Sequence, residues 1–298
     1  MFQVIARRDD KVGYNIILAD IPEELKEDSI VFMPELSSRE QNHIKYVSKY
    51  THKSGHIIVK LVRSDGFDPF GRPKSLSHSL VIPSEEYSSN SLLYYSSPLI
   101  HTDYFNDVNN EPSMLGENLF HVRENKILEK IDNSKIHEII VATMTCKRIV
   151  LIPSLDQTGL IELSSIIDKS IPYEASYDFS LITYSDTSCR KQLVHNVLYF
   201  FSNDQKKDGT IDIKGINQQI KNIAKKEKKY LNEYVELIIS SNFEKLLEEH
   251  AKWVIGMYYD EHKELQRLFT KRYQLDMPFS RRNKFHAQLV NYLSKFDI

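Results

Sequence analysis

"IKYVSKYTHKSGHIIVKLVRSDGFDPFGRPKSLSHSLVIP", residues 44–83, decides the fold. In its first part Ile44, Tyr46 and Ser48 alternate with Lys45, Val47 and Lys49, a period of two that marks a strand. "HKSG" (52–55) then reads as a hairpin turn. "HIIVKLVR" (56–63) is rich in β-branched residues and too short for a good helix. "SHSLVIP" (77–83) is a further strand, ending at Pro83, where a central strand cannot continue. The segment therefore predicts an antiparallel meander of at least three strands.

The connection inside this segment, "SDGFDPFGRPK" (64–74), is the least ordinary part of the chain. It holds two Asp-containing turn signals, two glycines and two prolines. It reads as a long hairpin connection, and ordered loops of that length commonly carry function. Arg72, Phe67 and Phe70 are its candidate partner-binding residues. Arg72 stands between Pro69 and Pro73, which partly pre-order the loop and lower the entropy cost of using the guanidinium in an interface.

Working outward, "FQVIAR" (2–7) and "GYNIILAD" (13–20) predict two more strands across the turn "RDDKVG". From "NSKIHEIIVATMTCKR" (133–148) the period becomes helical, with Ile136, Ile139, Ile140, Thr143 and Met144 on one side and Ser134 as the expected N-cap. "IVLIPS" (149–154) is a short buried strand. A helix from about Thr158 stacks Leu160, Leu163, Ile167 and Ile171 and stops before Pro172. "YDFSLITYS" (177–185) returns to strand, and "KQLVHNVLYFF" (191–201), which fits either period, is read as strand. The order predicts an α+β fold: an antiparallel-sheet N-terminal domain with helices packed on one side.

"SNDQKKDGTID" (202–212) is polar and contains an Asp-Gly turn, which sets a boundary between residues 1–203 and a helical module at 204–298. Tyr230, Leu231, Tyr234, Val235, Ile238 and Ile239 form one apolar face there. "SNFE" (241–244) is a capping-box signature for a second helix. Its expected buried side runs from Phe243 through Leu246, Leu247, Ala251, Val254 and Ile255 to Tyr258, with Glu249 outside.

Composition narrows the class. The chain has 298 residues, 41% hydrophobic and 27% charged, with 17 Tyr, 14 Phe and only 9 Gly, which suits packed cores. The net charge of −2 hides an asymmetry: residues 205–298 carry +5 and the rest −7. Two cysteines, Cys146 and Cys189, make neither a disulfide scaffold nor a zinc ribbon. No apolar leader or membrane-length segment is evident, so a soluble cytoplasmic protein is expected.

Chemistry is thinly signalled. His52 and His56 are four apart but across a turn, and no His-Glu-x-x-His occurs, so no metal is expected. "DGFDPFGRP" is flanked by strands, with no helix N-terminus to cradle a phosphate, and no cofactor is expected. In "SHS", Ser77 and Ser79 should share one side of the strand and His78 take the other, so the adjacency is poor geometry for a nucleophile and its base. A hydrolase or nuclease would have to use His78 with Asp65 or Asp68. Lys225, Lys226, Lys228 and Lys229 offer a basic helix for nucleic acid, diluted by Glu227, Glu233 and Glu236. The blander alternative is a solvated helix face.

With this order of elements in place, residues 1 to about 200 resemble the N-terminal domain of the prokaryotic GTPase-associated proteins, a group linked to predicted GTPase-centred conflict systems. "GHIIVKLVRSDGFDPFGRPKSLSHSLVIP" (55–83) carries it with a strand opening on Gly-His, a polar loop with an Arg, and Ser-His-x-Leu entering the next strand. "IVLIPSLDQTGLIELSSIIDKSIPYEASYDFSLITYS" (149–185) carries it with a strand, a helix ending in Ile-Pro and a strand ending in Thr-Tyr. The helix–strand–helix–Pro order is also similar to DENN-type exchange-factor domains. The resemblance implies a non-catalytic adaptor or regulatory protein whose partner is a small GTPase or other NTPase. It brings no catalytic residues with it.

Overall fold

The computed structural model describes residues 1–9, 13–23, 46–51, 56–67, 69–71, 73–83, 86–96, 125–145, 149–151, 155–171, 179–183, 196–200 and 225–255, with positions 223, 263 and 265. The strands are β1 (Phe2–Asp9), β2 (Gly13–Ala19), β3 (Tyr46–Thr51), β4 (His56–Phe67), β5 (Pro73–Pro83), β6 (Ile149–Leu151), β7 (Phe179–Ile182) and β8 (Asn196–Phe200). The helices are a 3-10 helix at Ser89–Ser96, then α1 (Ile127–Lys130), α2 (Asn133–Thr145), α3 (Gln157–Ser170), α4 (Lys225–Ile239) and α5 (Phe243–Ile255). The fold is mixed α+β.

Among the described residues eight strands join one sheet in the order β2-β1-β5-β4-β3-β7-β8-β6. The expected meander is present: β3 pairs antiparallel with β4, and β4 with β5. β1 enters between β5 and β2, completing five antiparallel strands. At the other side the sheet changes character. β7 is antiparallel to β3, but β8 runs parallel to both β7 and β6. That parallel portion was not legible in the alternation pattern; the helical crossover accounts for β6 and β7 running the same way, because a strand–helix–strand passage over one face returns the chain in its original direction, and β8 joins them in that direction. β8 itself is a strand at Asn196–Phe200, as read.

The register divides the sheet into two faces. Val47, Val59, Leu61, Leu76, Leu80 and Ile5 face the 3-10 helix and α3, where Leu92, Tyr95 and Ile161 close a core. α3 is buried nearly all round: Leu160, Leu163 and Ile167 turn toward a second core while Ile161 meets the sheet. A helix between two layers needs apolar residues on more than one side. It is capped by Asp156, whose carboxylate accepts from the Gly159 N–H at 2.7 Å.

The second core joins α1, α2 and α3 to α4 and α5. Ile136, Ile139, Ile140, Leu163 and Ile167 lie in one buried cluster with Tyr230, Tyr234, Val235, Ile238 and Leu246. α2 begins two residues earlier than Ser134 requires as a cap. Asp132 takes that role, accepting from the Ser134 N–H at 2.8 Å and from its hydroxyl at 2.5 Å, because an Asx carboxylate reaches the second residue of a helix readily.

The face of α5 also differs from the spacing rule. Leu246 is buried and Leu247 only half-buried, while Glu249 and His250 are buried. The turn at Ser241, in the left-handed region at φ 55°, sets α5 against α4 so that the 246/249/250 stripe points inward. Ala251, Val254 and Ile255 lie in the helix, and Tyr258 and the proposed boundary at 202–212 lie outside the described residues.

Candidate functional site at the long hairpin

β4 and β5 form the longest ladder, from His56 opposite Pro83 to Phe67 opposite Pro73. Between Ser64–Ser75 and Phe67–Pro73 the register slips by one residue, with β4 carrying the extra one. Such a bulge bends its strand and re-aims the side chains beyond it. The chain then turns through Pro69, Phe70 and Gly71. Gly71 has φ 74°, a left-handed conformation that suits glycine and strains any other residue.

The tip that results is apolar and in water. Phe67 is 51% exposed and Phe70 78%, the most exposed of the large hydrophobic residues described. Core aromatics in this chain are buried, as Tyr95 and Tyr234 show. Two phenylalanines on one solvent-facing turn therefore need an explanation that packing does not provide. Arg72 and Asp68 lie outside the described residues.

His78 sits elsewhere, on the core face of β5. Its Nδ1 lies 2.8 Å from the Tyr95 hydroxyl and its Nε2 3.0 Å from Gln3 Oε1. The same Tyr95 hydroxyl lies 2.9 Å from the His78 carbonyl oxygen. Burial pushes the imidazole pKa down to about 3, so the ring is neutral at physiological pH. The strand residue opposite it is Leu61, and Asp65 is four positions further along β4, about 13 Å at the usual strand rise. His78 thus works as a buried tether between β1, β5 and the 3-10 helix. Ser77 and Ser79 do point to the other face, where Ser77 Oγ lies 3.4 Å from the Ala6 carbonyl oxygen.

That other face holds a row the sequence reading did not single out. Ser48, Lys60 and Ser79 stand directly opposite one another on β3, β4 and β5, and all three are buried. Burial pushes the Lys60 pKa down to about 7, and its ammonium lies 5.7 Å from the Tyr50 ring centroid. Among the described residues the Ser48 and Ser79 hydroxyls make no hydrogen bond. A lowered lysine between two serines has the composition of a nucleophile and its base. The row is closed to solvent, however, so no substrate reaches it in this conformation.

A second buried network bolts α3 to the sheet. Lys49 Nζ lies 2.5 Å from Asp168 Oδ1, with both side chains out of water. The Tyr87 hydroxyl donates to Asp168 Oδ2 at 2.8 Å, and its ring stands 4.9 Å from the ammonium. Burial pulls the Lys49 pKa below its ordinary value, and the Asp168 carboxylate pulls it back. Burial and the same carboxylate hold the Tyr87 hydroxyl well above its usual value. Removing one partner of such a pair typically costs about 3–5 kcal/mol, since the other is left charged and buried. Both lysines were detectable in principle: Lys49 shares the strand parity of Val47, and Lys60 stands inside an unbroken apolar run.

On α4, Lys225, Lys226 and Lys229 are exposed and Lys228 is half-buried. Lys229 pairs with Glu233 at 3.7 Å. Glu227 turns inward, where its Oε1 accepts from the Leu265 N–H at 3.2 Å. Three exposed ammonium groups at a helix N-terminus are a weak electrostatic footprint for nucleic acid, and they oppose the helix dipole. Among the described residues no three His, Cys, Asp or Glu gather as metal ligands, and no helix is long and apolar enough to cross a membrane.

No family model matches the chain, and a search of curated proteins finds no significant relative.

Proposed function

We propose that this protein is a non-catalytic adaptor that docks on another protein through the β4–β5 tip. The observation that carries this reading is the pair Phe67 and Phe70, both turned into water beyond a strand bulge. Aromatic residues are enriched at the centres of interfaces, where they bring large contact area at little conformational cost. A tip held by a long two-strand ladder is pre-ordered, which lowers the cost of binding. The partner in this reading is a small GTPase or other NTPase of a prokaryotic conflict or signalling system, as the resemblance of residues 1 to about 200 implies. The protein acts in the cytoplasm, and residues 204–298 form its helical module. Arg72, which stands between Pro69 and Pro73 in the sequence, is the charged anchor of this reading.

The experiment is affinity capture from cells of the native host with wild type and the Phe67→Ser/Phe70→Ser double variant. A co-purified NTPase should disappear from the variant's eluate while the melting temperature stays within a degree or two, since both rings are exposed. Equal capture by the two proteins refutes docking through the tip. No observation favours the rival assignments, catalysis by His78 with Asp65 or Asp68 and nucleic-acid binding through Lys225, Lys226, Lys228 and Lys229, over this one.

A further inference from the structure

β2 is the outermost strand of the described sheet, on the side away from the helical crossover. Exposed strand edges are templates for pairing, and natural proteins usually protect them with lysine, proline, short length or a bulge. From Gly13 to Ala19, β2 is seven residues long with neither a charged residue nor a proline. Its one protective device is a bulge. Ile5 pairs with Leu18 and Ala6 with Ile16, leaving Ile17 as the extra residue. The effect is to present two successive apolar side chains to water, Ile17 at 40% and Leu18 at 36% exposure, where a regular strand shows one. Asn15 beside them is exposed too.

We propose that β2 pairs antiparallel with β2 of a second copy of this chain, about a two-fold axis beside Ile17. Two features select a second copy as the occupant. An isologous interface lays each residue near the axis against its own equivalent. A strand with any charge near its centre would meet that charge again; β2 has none. The ends of the strand are also complementary. Arg7 of β1 stands opposite Asn15 near its start, whereas Asp20 and Glu23 stand exposed beyond its finish. Antiparallel pairing sets the basic end of each copy beside the acidic end of the other, which favours this orientation.

Such a dimer is independent of the hairpin tip, which rises from β4 and β5 with β1 between them and β2. It leaves both tips available, and a two-tipped adaptor gains avidity for a partner that is itself paired or surface-bound.

Light scattering after gel filtration of the full chain, repeated across a wide range of concentration, tests the assembly. Wild type should be dimeric at the upper concentrations. Ile17→Lys, which brings two ammonium groups together at the axis, should be monomeric with an unchanged circular dichroism spectrum and melting temperature. As a second measurement, Ile17→Cys in a chain with Cys146 and Cys189 replaced by Ser should give a covalent dimer on mild oxidation. Phe70→Cys in the same background should not. A wild type monomeric throughout, a dimer indifferent to Ile17→Lys, or equal cross-linking from position 70 each overturns the proposal. None of these readouts depends on partner capture, so failure here and failure of the adaptor reading remain separate.

Discussion

Both ring nitrogens of His78 are engaged, and burial holds its pKa at about 3 against an ordinary value of 6.5. His250 is a second case: its Nε2 lies 2.7 Å from the Tyr234 hydroxyl, and burial lowers its pKa to about 4 although Glu249 pulls upward. In the unfolded chain each ring takes a proton near pH 6.5, while in the folded chain it resists until pH 4 or 3. A folded pKa below the unfolded one means the unfolded state binds more protons across that window. Stability is therefore greatest above pH 6.5 and falls as the pH drops, by about 1.4 kcal/mol per pH unit for each histidine. Urea unfolding at several pH values between 6.5 and 4.5 should show this slope. His250→Gln should reduce it by one histidine's share; a slope unchanged by that substitution contradicts the burial argument. The partners of neither histidine were readable from sequence. Parity placed His78 opposite Ser77 and Ser79, but Gln3 and Tyr95 come from elements whose juxtaposition only the sheet order β1-β5-β4 creates.

Elements were legible where the periodic signal was strong and local. Strands β1 to β3, helix α2 and helix α3 stand where alternation or helical spacing put them, because in each a single pattern and a nearby turn agree. β4 and β5 run further than read: they extend to Phe67 and back to Pro73, so most of the expected long connection at 64–74 is strand ladder, which its glycines and prolines disguised. The β8 segment was ambiguous because "KQLVHNVLYFF" is a short apolar run that fits either period. Helix α5 shows the opposite limit: its apolar residues were found, but the inward stripe was misjudged by part of a turn. Glu249 was assigned outward because it is charged. Yet its Oε2 lies 3.3 Å from the Tyr230 hydroxyl and its Oε1 2.9 Å from Lys252 Nζ. A carboxylate with partners at a helix–helix contact can be buried at little cost. This makes a test at the scale of one helix. Leu246→Asp should cost several kcal/mol, since an unpaired carboxylate would enter the shared core. Leu247→Asp should cost clearly less. Glu249→Ala should cost about 1–3 kcal/mol by removing the carboxylate that meets the Tyr230 hydroxyl and Lys252. Chemical denaturation of the three variants decides the matter, and a Leu247→Asp penalty equal to that of Leu246→Asp would restore the original face.

At the scale of the molecule, the composition shift after residue 203 and the polar run 202–212 suggest two units, whereas packing ties the ends together. Tyr230, Tyr234, Val235 and Ile238 of α4 share one core with Ile136 and Ile140 of α2 and Leu163 of α3. The Tyr234 hydroxyl donates to the Ser170 carbonyl at the end of α3. On the surface His137 Nε2 lies 2.9 Å from Asn232 Oδ1. Sequence reading could find each apolar face but not which face it covers, because a charge change and a turn signal report chain continuity rather than contact. The consequence concerns what happens when the connection is cut. Trypsin should nick first near Lys206 and Lys207, as the polar run predicts. The two pieces should nevertheless elute together from a sizing column and separate only in denaturant, because burying this core again is worth far more than the peptide bond's tether. A chain expressed as residues 1–203 should melt below the nicked complex and bind a hydrophobic dye, having lost the α4 face that covers Ile136 and Ile140. Pieces that part on nicking and keep their own melting temperatures would show instead that the helical module folds and works alone.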